Sequence, residues 1–199
     1  MRKNGFFAML TRMRNITRWS LMRNQVTENL SEHSYDTAVT AHALAVIGKE
    51  KFGKDLDPGQ IAAVALFHDA SEIVTGDLPT PVKYNNPEIC SAYKSIEHAA
   101  SDSLLRMLPD DLRPHYKVLF DFETDNPEIY RYVKAADKIS AYIKCVEELR
   151  AGNDEFRRAA VQTRAAITAM HLPEADYYME QFAPAFSLNL DELQEEETL

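Results

Sequence analysis

The chain has 199 residues and a formal net charge of −9, from 22 Lys and Arg against 31 Asp and Glu. Its length fits one domain that folds without disulfide or structural-metal staples, and 45% hydrophobic with 27% charged residues is an ordinary globular composition. The acidic balance excludes a general grip on nucleic-acid polymers, which requires basic surface to displace counterions; the longest apolar run, seven residues at 61–67, is far short of the roughly 20 of a membrane-spanning helix.

The charge is unevenly placed. Residues 1–24 carry six bases (Arg2, Lys3, Arg12, Arg14, Arg18 and Arg23) and no acid, while residues 191–199 carry five acids and no base. The basic start reads as an amphipathic first helix in preference to a targeting signal, because its apolar patch at 6–10 is short. Cys90 and Cys145 show no Cys-x-x-Cys spacing and read as reduced thiols of a cytoplasmic protein.

In chain order, Phe6, Leu10, Met13 and Ile16 share a face and predict a helix near 4–15. Ser31 is a candidate cap for a long helix to about 52, with Ala38, Ala41, Leu44 and Ala45 as its apolar stripe and Gly53 as its stop. Asp57-Pro58-Gly59-Gln60 predicts a capped start for a buried helix through His68. Asn86-Pro87 and Asn126-Pro127 repeat that start for helices at 87–107 and 127–151, and further helices fit 154–170 and 173–183. No alternating run flanked by turn residues predicts a strand. The expected fold is therefore all-α: one domain over 1–199 that ends in a frayed acidic tail near 191–199.

Chemistry concentrates at Phe67-His68-Asp69-Ala70-Ser71-Glu72. Two metal-ligand types stand where a buried apolar run ends, and burying them is costly unless they are paired or bind an ion. Glu72 falls four residues after His68, on the same face if the helix continues, as a candidate general acid or base. His33 opens the long helix after Ser31-Glu32. Asp137 sits mid-helix among Tyr132, Val133 and Ile139, an unusual place for an acid without a partner. Taken singly, His33 reads equally as a surface residue near a cap, and Asp137 as the ion-pair partner of Lys134 or Lys138. His42 lies nine residues past His33, about 180° round a helix, and faces away from it. His98, His115 and His171 stand in polar company.

The ordered set His33…His68-Asp69…Asp137 resembles the HD-domain superfamily of helical metal-dependent phosphohydrolases. Arg18-Trp19, Thr27-Glu28-Asn29, Ser31-Glu32-His33-Ser34, His68-Asp69-Ala70-Ser71-Glu72, the 75–83 segment, Lys134-Ala135-Ala136-Asp137 and the 182–190 region resemble its bacterial 5′-deoxynucleotidase branch, over essentially the whole chain. The resemblance implies an HD-type helical bundle and a hydrolase releasing phosphate from deoxyribonucleoside 5′-monophosphates. It implies His33, His68, Asp69 and Asp137 as metal ligands and Glu72 and Arg18 as catalytic residues. It implies Arg18, Trp19, Asp77, Leu78, Pro79 and Thr80 as the substrate-binding set, and a homodimer. Two neutral imidazoles and two carboxylates balance a divalent ion. Nitrogen and oxygen ligands without thiolate suit Mn²⁺, Co²⁺, Fe²⁺ or Ni²⁺ and do not choose among them; Co²⁺ or Mn²⁺ is the expected ion, with Fe²⁺, Ni²⁺, Cu²⁺, Zn²⁺ and Mg²⁺ left open. Two other readings remain. One is an HD-type phosphodiesterase or nucleotide pyrophosphohydrolase using the same metal site; the other is a helical scaffold whose metal is structural.

Overall fold

The computed structural model describes residues 4–83 and 86–195, apart from the side chains of 80, 81 and 195. The architecture is all-α. Among the described residues, extended pairing is confined to an isolated antiparallel bridge between Thr17 and Asn29. The α-helices are α1 (Phe6–Leu10), α2 (Leu30–Phe52), α3 (Pro58–Phe67), α4 (Glu72–Thr75), α5 (Thr80–Lys83), α6 (Pro87–Leu105), α7 (Arg113–Phe120), α8 (Phe122–Asp125), α9 (Pro127–Arg150), α10 (Arg157–Thr168), α11 (Pro173–Gln181) and α12 (Leu190–Glu195). Turns of 3₁₀ helix at Thr11–Asn15, Asp154–Phe156 and Ala183–Ser187 complete the path. No helix among the described residues is long and apolar enough to cross a membrane.

The bundle is built on α2, which packs against both α3 and α9, while α9 also packs against α10. Its core joins Ala41, Leu44 and Ala45 of α2 to Ile61 and Val64 of α3 and to Val133, Ala136 and Ile139 of α9. Small residues on α2 allow this close approach. At Gly48 a Cβ would meet Leu56 Cδ1 at 2.7 Å and Glu174 Oε1 at 3.2 Å, so any larger residue would require the Leu56 side chain to move. A second apolar cluster holds α1 to α6 and α7, with Phe6 fully buried against Leu104, Leu105 and Leu108 and its ring 5.1 Å from that of Tyr116. A third gathers Cys145, Phe156 and Ala160 beneath Trp19.

Several expected boundaries move. The first helix turns to 3₁₀ at Thr11, whose hydroxyl donates back to Phe7 O at 2.9 Å. The cap of α2 is Asn29, not Ser31: Asn29 Oδ1 accepts from Ser31 N at 2.9 Å and Glu32 N at 3.2 Å, while Glu32 Oε2 accepts from Asn29 N at 2.9 Å. This reciprocal box satisfies donors that the helix leaves open. Gly53 stops α2 at φ +64°, as expected. Asp57 and Asn86 cap α3 and α6 through their side chains, whereas Asn126 makes no such bond. Helix α3 ends at Phe67, one residue before His68, and a turn over 68–71 separates it from α4. The 108–126 stretch, to which the sequence reading assigns no element, holds α7 and α8. Part of the acidic tail is helical, as α12, and residues 196–199 lie outside the described residues.

Because Asn29 caps the helix that carries His33, Asn29→Ala should cost about 1 kcal/mol of stability. Ser31→Ala should cost less than about 0.5 kcal/mol. Chemical denaturation of the two variants checks the assignment, and equal losses would contradict it.

Candidate active site

His33 lies one turn into α2 and is fully buried. Its Nδ1 is 3.2 Å from Ser140 Oγ on α9, which orients the ring and leaves Nε2 facing the carboxylates. Nε2 is 3.2 Å from Asp137 Oδ1 and 3.6 Å from Asp69 Oδ2. The alternatives raised by the sequence therefore fall away. His33 is not a surface residue, and Lys134 turns from Asp137 to pair with Glu123.

The early end of α3 places His68 and Asp69 in a turn. His68 Nδ1 is 2.7 Å from Ala65 O, and a carbonyl can only accept, so Nδ1 carries a proton. Nε2 is then the free lone pair. It is buried without a hydrogen-bond partner, although Asp69 Oδ2 lies 3.1 Å away out of line for a hydrogen bond. Two lone-pair atoms at that separation repel unless a proton on Nε2 or a metal cation stands between them. Ligand atoms of His33, His68 and Asp69 all lie within 4.8 Å of one another, a group able to hold a metal ion. Asp137 borders that group through His33 and is not a member of it at the same radius. Its side chain is 38% exposed, so it stands on the open side.

The same demand for positive charge appears in the titration of these groups. Burial lowers the His68 pKa, but Asp69 and Asp137 outweigh it and push the imidazole up to about 9. Burial would raise Asp69, yet His68, His33 and Arg18 hold it well below the usual carboxylate range. Glu72 moves the other way. It is buried, its Oε2 has no hydrogen-bond partner, and burial together with Asp69 and Asp77 pushes it up to about 9. A group in that state carries a proton at neutral pH and can donate it.

Arg18 reaches the cluster from the segment before α2, with Nη1 3.6 Å from Asp69 Oδ2 and Nε 3.1 Å from Glu28 Oε2. Trp19 follows at φ +58°, its indole N–H donating to Glu28 Oε2 at 2.9 Å and its ring 5.3 Å from that of Phe156. Arg18, Trp19, Asp77, Pro79 and Asp137 share the wall of a cleft of about 690 Å³, whose far side is α10 with Gln162 and Thr163. Leu78 does not line this cleft. The side chain of Thr80 lies outside the described residues. Tyr93 Oη lies 3.1 Å from both Thr75 Oγ1 and Gly76 O, and its bond to the carbonyl steadies the turn that presents Asp77.

A buried imidazole–carboxylate group, an arginine and a neighbouring protonated glutamate are the parts of a phosphoryl hydrolase. Comparison with known proteins agrees. The sequence profile of the family described as 5′-deoxynucleotidase YfbR-like matches residues 5–186. This chain belongs to that family. It is 49% identical to a 5′-deoxynucleotidase of Vibrio cholerae over 193 residues, covering 97% of this chain and 100% of that one. It is 48% identical to the 5′-deoxynucleotidase YfbR of Shigella boydii over 199 residues and all of both chains. Among solved structures, an HD-domain phosphohydrolase from Listeria innocua superposes with a TM-score of 0.79 at 22% identity, covering 95% of this chain and 91% of that one. The cyanophage S-2L HD phosphohydrolase DatZ, bound to dA and one catalytic Zn²⁺ ion, gives 0.61 at 16% identity over 89% of this chain and 95% of that one. These two likenesses establish the HD-type fold.

Sequence reasoning missed the groups that hold the segment before α2. Glu28 grips both Arg18 and Trp19. Fully buried Glu148 accepts from the backbone N–H groups of Gln25 and Val26 at 3.0 Å each, and from Lys144 and Asn153. Lys144 and Glu148 are four apart and look like a surface helix pair in the sequence. Their burial comes only from the chain that crosses over them.

His68 and Glu72 give the metal-free protein a defined pH response. Both pKa values are raised on folding, to about 9 from ordinary values of 6.5 and 4.5, so the folded state binds more protons than the unfolded one. Stability must then fall as pH rises. The His68 contribution is complete below pH 6.5 and the Glu72 contribution below pH 4.5, and both are lost by about pH 9. Thermal melts of the metal-free protein should show Tm declining towards alkaline pH, with a shallower decline in Glu72→Gln. A flat or rising Tm would contradict these protonation states.

Proposed function

We propose that the chain hydrolyses deoxyribonucleoside 5′-monophosphates to deoxyribonucleoside and phosphate, as a metal-dependent 5′-deoxynucleotidase. The observation that carries this reading is the unpartnered Nε2 of buried His68, set among His33, Asp69 and Arg18 at the end of an open cleft. His33, His68 and Asp69, joined by Asp137 from the open side, fit a divalent ion. Co²⁺ or Mn²⁺ is our proposed occupant; a donor set that mixes nitrogen and oxygen without thiolate suits either, as it also suits Fe²⁺ or Ni²⁺. Such an ion supplies Lewis-acid charge for a phosphoryl oxygen and lowers the pKa of a nearby water.

The chain's own groups do the rest. Arg18 is tied at Nε, so its two Nη groups form the fork that meets two phosphate oxygens. Trp19 supplies an aromatic wall beside the sugar, and closing the space for a 2′-hydroxyl gives roughly 10²-fold preference for deoxyribose. Asp77 takes a sugar hydroxyl, and Pro79 and Thr80 complete the proposed substrate-binding turn, to which Leu78 belongs without lining the cleft. Hydrolysis moves one proton from water to the leaving 5′-oxygen, and Glu72 carries it through its buried carboxyl. The cysteines, both free, support a reducing cytoplasmic setting. The exposed stripe Tyr35, Val39 and Val46 on α2 supports a homodimer.

Metal-stripped protein should release no phosphate, and Co²⁺ or Mn²⁺ added singly should restore release from deoxyribonucleoside monophosphates about 10²-fold better than from ribonucleotides. Release of pyrophosphate, or of a nucleotide from a cyclic or longer substrate, would favour the phosphodiesterase or pyrophosphohydrolase reading instead. Trp19→Ala should narrow the deoxy-to-ribo ratio.

Glu72→Gln should keep its metal by elemental analysis and lose about 10²- to 10⁴-fold in kcat. His68→Ala and Asp137→Ala should lose the metal itself. Full turnover by Glu72→Gln would assign the proton to another group.

A further inference from the structure

Glu28 is buried and takes no part in the reaction above, yet both substrate-side residues of its neighbouring segment depend on one of its oxygens. Oε2 accepts from Arg18 Nε at 3.1 Å and from Trp19 Nε1 at 2.9 Å. The backbone holds the same register. Arg18 N–H donates to Glu28 O at 3.0 Å, Leu30 N–H donates to Ile16 O at 2.9 Å, and Thr17 and Asn29 form the bridge between them. Trp19 occupies φ +58°, a backbone region that bulky L residues rarely adopt, so its surroundings must hold it there.

The other side of Arg18 faces carboxylates. Asp69 is 3.6 Å from Nη1, and Asp77 and Asp137 also attract the guanidinium. A long, flexible side chain without a counter-tether would fold onto Asp69 and occupy the charge that a cation needs. We propose that Glu28 is a positioning residue. By engaging Arg18 through Nε it holds the guanidinium back, so that Nη1 stops 3.6 Å from Asp69 Oδ2 and does not collapse onto that carboxylate. By accepting the indole N–H with the same oxygen it fixes the plane of the Trp19 ring beside the sugar. One carboxylate thus sets the phosphate contact and the sugar wall in a fixed relation. A lysine at 18 has no Nε–H to spare and could not be held this way. The inference rests on the substrate reading above.

Trp19 is the only tryptophan in the chain, so its fluorescence reports directly on this contact. In the full-length metal-loaded protein, Glu28→Ala should shift Trp19 emission and increase its quenching by acrylamide. It should also lower kcat/KM for a deoxyribonucleoside monophosphate by about 10- to 100-fold, the scale of an ångström-sized misplacement. Glu28→Gln keeps an oxygen acceptor and should recover the emission and part of the activity. In an Arg18→Ala background most of the activity loss from Glu28→Ala should disappear, because the group it acts through is gone. Unchanged Trp19 emission, or equal activity losses in both backgrounds, would overturn the proposal. Where Glu28→Ala loses its helical circular dichroism, Glu28→Leu, which keeps bulk and removes the acceptor, takes its place in the same cycle under the same criteria. A wild-type protein that cleaves no monophosphate would sink the substrate reading alone; the Trp19 emission of Glu28→Ala then still decides whether Glu28 holds the ring.

Discussion

Buried negative charge that has to be met by positive charge is the constraint on which the rest of this structure depends. Asp69 sits where two imidazoles, an arginine and two further acids converge. Each neighbour meets the constraint differently. His68 and Arg18 are driven towards the charged form, Asp69 and Asp137 are held ionised, and Glu72 escapes repulsion by keeping a proton. An ion at His33, His68 and Asp69 resolves the same imbalance without a proton on His68. The acid–base asymmetry between Asp69 and Glu72, three residues apart, is thus a product of position and not of residue type.

The fold serves that constraint by bringing non-neighbouring segments to one point. The Asn29 box fixes the start of α2 and hence the place of His33. The stop of α3 at Phe67 lets His68 bond backward to Ala65 O and point Nε2 forward, which a continuing helix would not allow. Helix α9 contributes Asp137 on the open side and Ser140 behind His33. The segment before α2 is not helical, yet it is anchored by Glu28, by the Thr17–Asn29 bridge and by Glu148. If Arg18 binds the phosphate as proposed, a loop tied at those places leaves little ordering to do on binding, which spares the conformational entropy that a free loop would lose.

Much of the bundle was legible in the sequence because burial imposes a period. The α2 stripe, the Asp57 and Asn86 starts and the Gly53 stop all follow from local rules. His68, Asp69 and Asp137 stood out as polar groups in apolar settings, and His33 emerged from the ordered family pattern. What stayed hidden depends on distant chain. Ser31 and Asn29 are both good caps, and only the Thr17 bridge and the Glu32 box decide for Asn29. The break at His68 is invisible in an unbroken apolar run. Helices α7 and α8 are short, and α7 has no fully buried residue, so no strong stripe marked it. Glu28 carries no signal of its own. It is one acid among 31 until the chain folds back over Arg18.

The placement of the basic residues gives the net charge its meaning. Of the six bases in residues 1–24, Arg12, Arg14 and Arg23 are exposed, and Arg2 and Lys3 lie outside the described residues. Of the four among the described residues, Arg18 alone, its side chain 12% exposed, is drawn inward. Its burial is tolerable because Glu28 and Asp69 lie on either side of it, and those acids are tolerable because Arg18 and the imidazoles answer them. The surface charge of −9 acts through solvent, where physiological salt screens it beyond about 8 Å. It bears on how fast a phosphate ester approaches, while the proposed binding groups, Arg18 and the histidine–aspartate cluster, act at contact distance. An acidic protein can therefore serve an anionic substrate, provided its few buried cationic groups are fixed where remote charge does not reach.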